Sequence, residues 1–363
     1  MWQGFRPAWK LAVVRNKLAL LAGAAIIATL TIVATPGVSS AAETVNWSAT
    51  GALSDAGTSS TPAMTTCNGV TYMVWKGVDN DAGMYYSSSS TPGVWAPQQL
   101  VGGGGGTSTG PTVACDFDNF IVVAWKGVGN DERMFYTMAE VENSVDEPTG
   151  PLQWSAQKQV DGGGLTDLSP SLAVVRGGSA YLAWRGAGND MNVYMATLSS
   201  LNGPWQFVGA VPGVSTFRRP TLTVGASGPS MTPQVSLIWP LANGQNNFYN
   251  YYLGGERWSS SFQLVGGSNA APAATEGPAD GYNPPDNLVA WQGAGNDTRI
   301  FYTVDQNQTG WQPQQLVTNG GPTTTGIAAG DNVGCPNGIC TQITAYIAWE
   351  GPQEQIEYVY GTY

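Results

Sequence analysis

Four Asn-Asp pairs, Asn80-Asp81, Asn130-Asp131, Asn189-Asp190 and Asn296-Asp297, each stand a few residues after a Trp-x-Gly step. A carboxylate and an amide side by side on a short turn can accept from and donate to neighbouring hydroxyls, and tryptophan or tyrosine close by offers a flat apolar face. That combination suits a polyol ring. The residues it nominates are Asp131, Asp190 and Asp297, with Lys126, Arg185 and Arg299 as polar neighbours. The same pairs also have a plainer use, because Asn and Asp tolerate left-handed turn conformations and bind local backbone amides.

A second candidate is Phe217-Arg218-Arg219-Pro220, which opens a strand where the preceding repeat has Asp167-Leu168-Ser169-Pro170. Two adjacent arginines are out of place in a chain with 14 Lys+Arg against 25 Asp+Glu. Successive strand side chains point to opposite faces, so one guanidinium is expected to reach the centre of the fold and the other to pack inside it. The one at the centre either binds an anionic ligand group through paired hydrogen bonds or closes an internal salt bridge.

Much other chemistry is excluded. The chain has no histidine, which removes Ser-His-Asp and Cys-His catalysis and the common histidine-ligated zinc centres. No phosphate-binding or dinucleotide fingerprint stands in a strand-to-helix context, and the glycine run Val101 to Gly106 reads as a loop. No cofactor is expected. A pair of carboxylates could still hydrolyse a glycosidic bond, and the densest acidic set is Glu140, Glu142, Asp146 and Glu147, which reads as a solvated loop.

The elements that carry these residues form a repeat. Twelve of the 14 tryptophans fall into two series, Trp75, Trp125, Trp184, Trp239, Trp291, Trp349 and Trp47, Trp95, Trp154, Trp205, Trp258, Trp311. Six members per series at the spacing of a propeller blade predict an all-β, six-bladed β-propeller over residues 43–363. In the third repeat, strands A to D are expected at Ser169 to Val175, Tyr181 to Trp184, Val193 to Ala196, and from Trp205, separated by Gly, Asn and Asp turns. The chain enters the repeat at a D-type tryptophan, Trp47, and leaves it after a C-type strand, Ile356 to Tyr360. The two fragments are expected to complete one blade and so close the ring. In such blades the B–C turns and the D–A connections emerge on one rim, which gathers the Asn-Asp pairs and the glycine-rich loops.

Residues 1–42 read as a signal peptide. Arg6, Lys10, Arg15 and Lys17 precede an apolar run from Leu18 to Thr35, and Ser39-Ser40-Ala41-Ala42 offers a cleavage site. Left uncleaved, the run approaches the length of a membrane anchor. Cleavage leaves ten basic residues against 25 acidic ones, a composition that argues against a nucleic-acid partner and suits a secreted, extracellular protein. Four cysteines fit an exported chain. Cys335 with Cys340 is the expected disulfide, and Cys67 with Cys115, at the ends of consecutive A strands, is a second pairing if the strands approach closely enough.

The alternation AWKG, then ND, then FYT or YYS, followed by tryptophan and proline, resembles the repeats of sialidase-like propellers. The segment Thr303 to Trp311 is the nearest approach to their Asp-box turn and departs from it at several places. The sixfold plan is also similar to that of fucose-binding propeller lectins. The resemblance implies a propeller and a carbohydrate partner, a glycan on a cell surface or polymer. Neither family's site residues can be transferred. The expected function is therefore a secreted lectin-like binder without catalysis, with a glycosidase or lyase, or a protein-interaction scaffold, as alternatives.

Overall fold

The computed structural model describes residues 44–362 apart from 117–118, 142–149, 163, 176, 228–231, 242–243, 245, 276–286, 306–309, 324 and 335–341. The expected Cys335–Cys340 bridge and most of the acidic loop lie outside the described residues.

Six antiparallel sheets follow one another along the chain, each running from an inner strand A to an outer strand D. In blade 1 these are Ala63–Cys67, Val70–Lys76, Met84–Ser89 and Gln99–Leu100; in blade 3, Ser171–Val175, Ser179–Arg185, Asn192–Leu198 and Gln206–Ser215. Blade 6 takes its A, B and C strands, Ile327–Gly334, Gln342–Glu350 and Gln355–Thr362, from the end of the chain. Its outer strand is Asn46–Trp47, with Asn46 opposite Thr362 and Trp47 opposite Gly361. The expected closure is what the structure has, reinforced by Gly51–Gly57 pairing with the same C strand.

Strand B has both faces covered by neighbouring blades, so it reads as a continuous apolar run (VTYMVWK, FIVVAWK, NLVAWQ) instead of alternating with polar residues. Val70, Tyr72 and Val74 join a cluster with Val113, Ile121 and Val123 of blade 2, while Met73 and Trp75 face Tyr346 and Ala348 of blade 6. All six B-strand tryptophans are at most 2% exposed. The D-strand tryptophans make the other inter-blade contact. Trp47, Trp95, Trp154, Trp205 and Trp311 meet a tyrosine of the preceding blade, Tyr302, Tyr358, Tyr86, Tyr136 and Tyr249, edge to face at 5.4 to 5.8 Å between ring centres. Each such pair adds about 0.5–1.5 kcal/mol to the apolar burial.

Cys67 and Cys115 are joined in a disulfide with their Cα atoms 5.5 Å apart. The A strands of blades 1 and 2 therefore approach closely enough at their far ends for the second pairing.

Two outcomes test this construction. Trp47→Ala should reduce the unfolding free energy in urea by about 3–5 kcal/mol, the usual loss for a large buried aromatic; a change below about 1 kcal/mol would show that ring closure does not depend on this wedge. The Cys67→Ser/Cys115→Ser double variant should lose about 2–4 kcal/mol in the same measurement.

Candidate functional site

The rim that carries the candidate residues is built from two repeated devices. The first is a buried hydroxyl in each D–A connection: Thr58, Thr107, Thr166, Thr216, Ser268 and Thr323, none more than 2% exposed. Each precedes the first inner-strand proline, or Ile327 in blade 6, by four residues. Its Oγ accepts the N–H two residues on, as at Ser60 (3.2 Å), Thr109 (3.1 Å), Leu168 (3.2 Å), Arg218 (3.0 Å) and Ala270 (3.2 Å). In five of the six its own N–H donates to a carbonyl in the B–C connection of the blade just left: Thr58 to Glu354, Thr107 to Ala82, Thr166 to Glu132, Thr216 to Met191 and Thr323 to Thr298. Every connection is thus clamped before it turns toward the axis.

The second device is the B–C hairpin. The Asn-Asp aspartates accept the N–H two residues on, from Gly83 (2.8 Å), Arg133 (3.2 Å), Asn192 (3.0 Å) and Arg299 (3.1 Å). The carboxylate folds back over the glycine of the Trp-x-Gly step: a Cβ on Gly127 or Gly293 would stand 2.7 Å from the carboxyl carbon of Asp131 or Asp297. All four aspartates therefore form the turn.

Lys126 and Arg185 lie at the ends of their B strands, 3% and 6% exposed, and bolt the hairpin to the D–A connection. Lys126 donates to Ser108 Oγ (3.0 Å) and to the Gly127 and Gly129 carbonyls, using all three of its protons. Arg185 donates to the Gly188 carbonyl (3.0 Å) and pairs with Asp167. Neither stands on the open rim.

Arg299 does. Its Nε and Nη2 donate to Asp297 Oδ1 (2.9 Å) and Oδ2 (2.8 Å), and its guanidinium lies 5.2 Å over the Phe301 ring. The true counterpart in blade 2 is Arg133, bound to Asp131 by two 2.8 Å hydrogen bonds and lying 5.3 Å over Phe135. The signal in the sequence is the two-residue step from Asp to Arg in NDERMFY and NDTRIFY, which pairs Arg299 with Arg133 and sets it apart from Lys126 and Arg185. Both arginine side chains remain more than half exposed, at 55% and 64%.

In blade 5 this pair lines a cleft of about 320 Å³ with Trp291, Phe301, Gln314 and the Gly267 backbone. A glycine makes the approach possible. A Cβ on Gly266, at φ +84, would stand 2.5 Å from Trp291 Cζ2 and 2.7 Å from Gln314 Oε1. Gly105, at φ +136, holds the same relation to Trp125 (2.7 Å) and Gln157 (2.5 Å) in blade 2. Blades 2 and 5, three apart in a ring of six, thus repeat one constellation of Asp, Arg, Phe, Trp and Gln. Blade 3 departs from it: Asp190 is taken up by Asn192 (2.7 Å) and Tyr194 (2.8 Å), and Phe207 packs against Trp184.

Arg218 and Arg219 stand at the axis. Residues two and three beyond the buried hydroxyl form the mouth: Ser60-Thr61, Thr109-Gly110, Leu168-Ser169, Arg218-Arg219, Ala270-Ala271 and Thr325-Gly326. All but Gly110 and Gly326 line a cavity of about 550 Å³, which has no carboxylate among its described lining residues. Arg219 also lines the narrower channel below, between the starts of all six A strands. Arg218 is exposed at the mouth, so the expectation that the second arginine packs inside the fold is corrected. Neither guanidinium has an ion-pair or hydrogen-bond partner among the described residues, and those residues bring together no set of three metal-ligating side chains.

No protein-family profile and no curated protein sequence matches the chain. Solved structures share its fold. AofleA from Arthrobotrys oligospora superposes with a TM-score of 0.59 at 12% identity, over 87% of this chain and 86% of that one. Hz136, a Hadza microbial sialidase, gives 0.57 at 14%, over 82% and 64%. The fucose-specific lectin of Aleuria aurantia gives 0.50 at 14%, over 72% and 78%. At these identities the likeness establishes the propeller fold, without assigning a site.

The rim carboxylates separate by cause. Hydrogen bonds from the Arg133 and Arg299 side chains hold Asp131 and Asp297 below the ordinary 3.8, whereas Asp190 is held below it first by the Asn192 backbone N–H and then by the Tyr194 hydroxyl. A folded pKa below the unfolded one contributes stability that is present above the ordinary carboxylate range and lost as pH falls through the folded value. Carboxyl NMR titration should show all three midpoints below 3.8. Arg299→Ala should return Asp297 toward 3.8 and leave Asp190 in place; an unmoved Asp297 would remove the ion pair from the account.

Proposed function

We propose that the chain is an exported, non-catalytic carbohydrate-binding propeller whose working sites are the Asp-Arg constellations on the rim of blades 2 and 5. The observation that carries this reading is the repetition of one constellation on opposite blades. After two bonds to aspartate, each arginine keeps three N–H donors for ligand oxygens. A glutamine and an aromatic group border the blade 5 cleft beside it, on a clamped hairpin that costs little ordering on binding. A differentiated hydrolytic centre needs two carboxylates facing one cavity. Repetition suits binding, where two weak sites engaging one surface exceed either alone by about 10²–10⁴.

The propeller neighbours, a fucose-specific lectin among them, favour a sugar ligand as analogy. Export rests on the basic-then-apolar leader and on the Cys67–Cys115 disulfide, a bond that persists in oxidising compartments. The natural partner on this reading is a cell-surface or polymeric glycan presenting many copies of one sugar.

A glycan array followed by calorimetry on the best soluble sugar tests it. Arg133→Ala and Arg299→Ala should each halve the number of sugars bound and weaken array binding by about 10²-fold or more through lost bivalency. The double variant should bind no neutral glycan of the array and no neutral sugar in solution. Retained affinity in the folded double variant overturns the assignment.

A further inference from the structure

At the third residue beyond the clamping hydroxyl, five blades place Thr61, Gly110, Ser169, Ala271 and Gly326. These are small, and together they leave the mouth open. Blade 4 alone places arginine there, with a second arginine just before it. Blade 4 is also the one whose B strand ends in Pro240, where blades 1 to 3 carry the cationic bolts Lys76, Lys126 and Arg185. The residue that such a bolt would reach, Phe217, is 53% exposed. The basic charge of this blade has therefore moved from an internally satisfied position to the axis.

Its surroundings are unusual for a cation in a chain with 25 acidic residues and 14 basic ones. Among the described residues the mouth is lined by hydroxyls and amides, Ser60, Thr109, Ser169, Asn269 and Gln292 among them, and by no acid. Arg218 is fixed from behind, because its backbone N–H donates to Thr216 Oγ1 (3.0 Å). Arg219 is partly buried where the mouth meets the channel. This loss of hydration pulls its guanidinium down to about 10, so it keeps its charge at neutral pH at a cost that no anion among the described residues offsets. A guanidinium enclosed without a counter-ion is costly to the fold, whereas a uncharged side chain of similar length would fill the same space without that cost. Retaining it is explained by something that is not part of the chain.

We infer that the mouth of the central channel is an oxyanion site, in which Arg219 and Arg218 hold the carboxylate, sulfate or phosphate group of a small hydroxylated ligand such as an acidic monosaccharide. A fork of N–H donors matches such a group, the polar ring around it receives the hydroxyls, and the cavity has the volume of a small-molecule site. This site is separate from the rim clefts and does not depend on them.

Calorimetry with glucuronate, glucose 6-sulfate, glucose 6-phosphate, inorganic phosphate and neutral glucose tests it, on wild type and on the Arg133→Ala/Arg299→Ala rim variant. At least one oxyanion should bind both proteins with one-to-one stoichiometry, more weakly as salt rises, with glucose failing to compete for it. A sugar-borne anion that binds more tightly than inorganic phosphate identifies an acidic sugar as the source; the reverse order identifies the free ion, and either order supports the site. Arg219→Met, of similar length and uncharged, should keep the thermal midpoint within a few degrees or raise it, and weaken the oxyanion by about 10- to 100-fold. Arg219→Lys should fall between, having charge without the fork. Binding of no oxyanion by wild type, or unchanged binding in a folded Arg218→Met/Arg219→Met variant, overturns the inference. Neutral-sugar binding that survives in the Arg133→Ala/Arg299→Ala variant, with mouth binding intact, would count against the rim assignment alone.

Discussion

No blade of this ring can stand by itself, because strand B is apolar on both faces and each face needs a neighbour. Trp75 is buried against blade 6, which is complete only when the N-terminal strand carrying Trp47 has joined Gln355–Thr362. The closing strand therefore secures more than its own two residues. Val45 and Trp47 close over Tyr302 of blade 5, with the Val45 N–H donating to the tyrosine hydroxyl at 3.0 Å. The Cys67–Cys115 bridge adds a covalent tie between the first two inner strands.

That rigidity allows the rim to vary. With Thr or Ser in each D–A connection and Asp forming the hairpin in blades 1, 2, 3 and 5, the position two residues after the aspartate is occupied differently from blade to blade. Arg133 and Arg299 exploit this in two blades, while Asn192 and Gly83 take the same place in two others. Blade 4 has neither the Asp hairpin nor the cationic bolt, and it is there that arginines reach the axis.

Much of this was legible beforehand, and the reason is local. Six tryptophan pairs, hydrophobic runs of strand length and Gly-Asn-Asp turns are near-neighbour patterns, and each reports one element. The half-units at the two ends determined closure, because an unpaired outer edge has only one partner of the right kind. The turn-forming use of Asp131, Asp190 and Asp297 was likewise implied by residue type.

What the tertiary structure decided is where side chains of like charge point. Lys126, Arg185, Arg299 and Arg219 are all cations near a hairpin or connection, yet the first two are spent inside the blade, the third lies open on the rim and the fourth stands on the axis. Alternation along a strand gives the face but not the partner, which comes from a different connection, as Ser108 does for Lys126. The separation of Cys67 from Cys115 depends on the offset of two adjacent inner strands, set by packing between blades. The mouth itself belongs to no segment: it is the space left when six connections converge, and only the closed ring brings one basic residue and five small ones around a common axis.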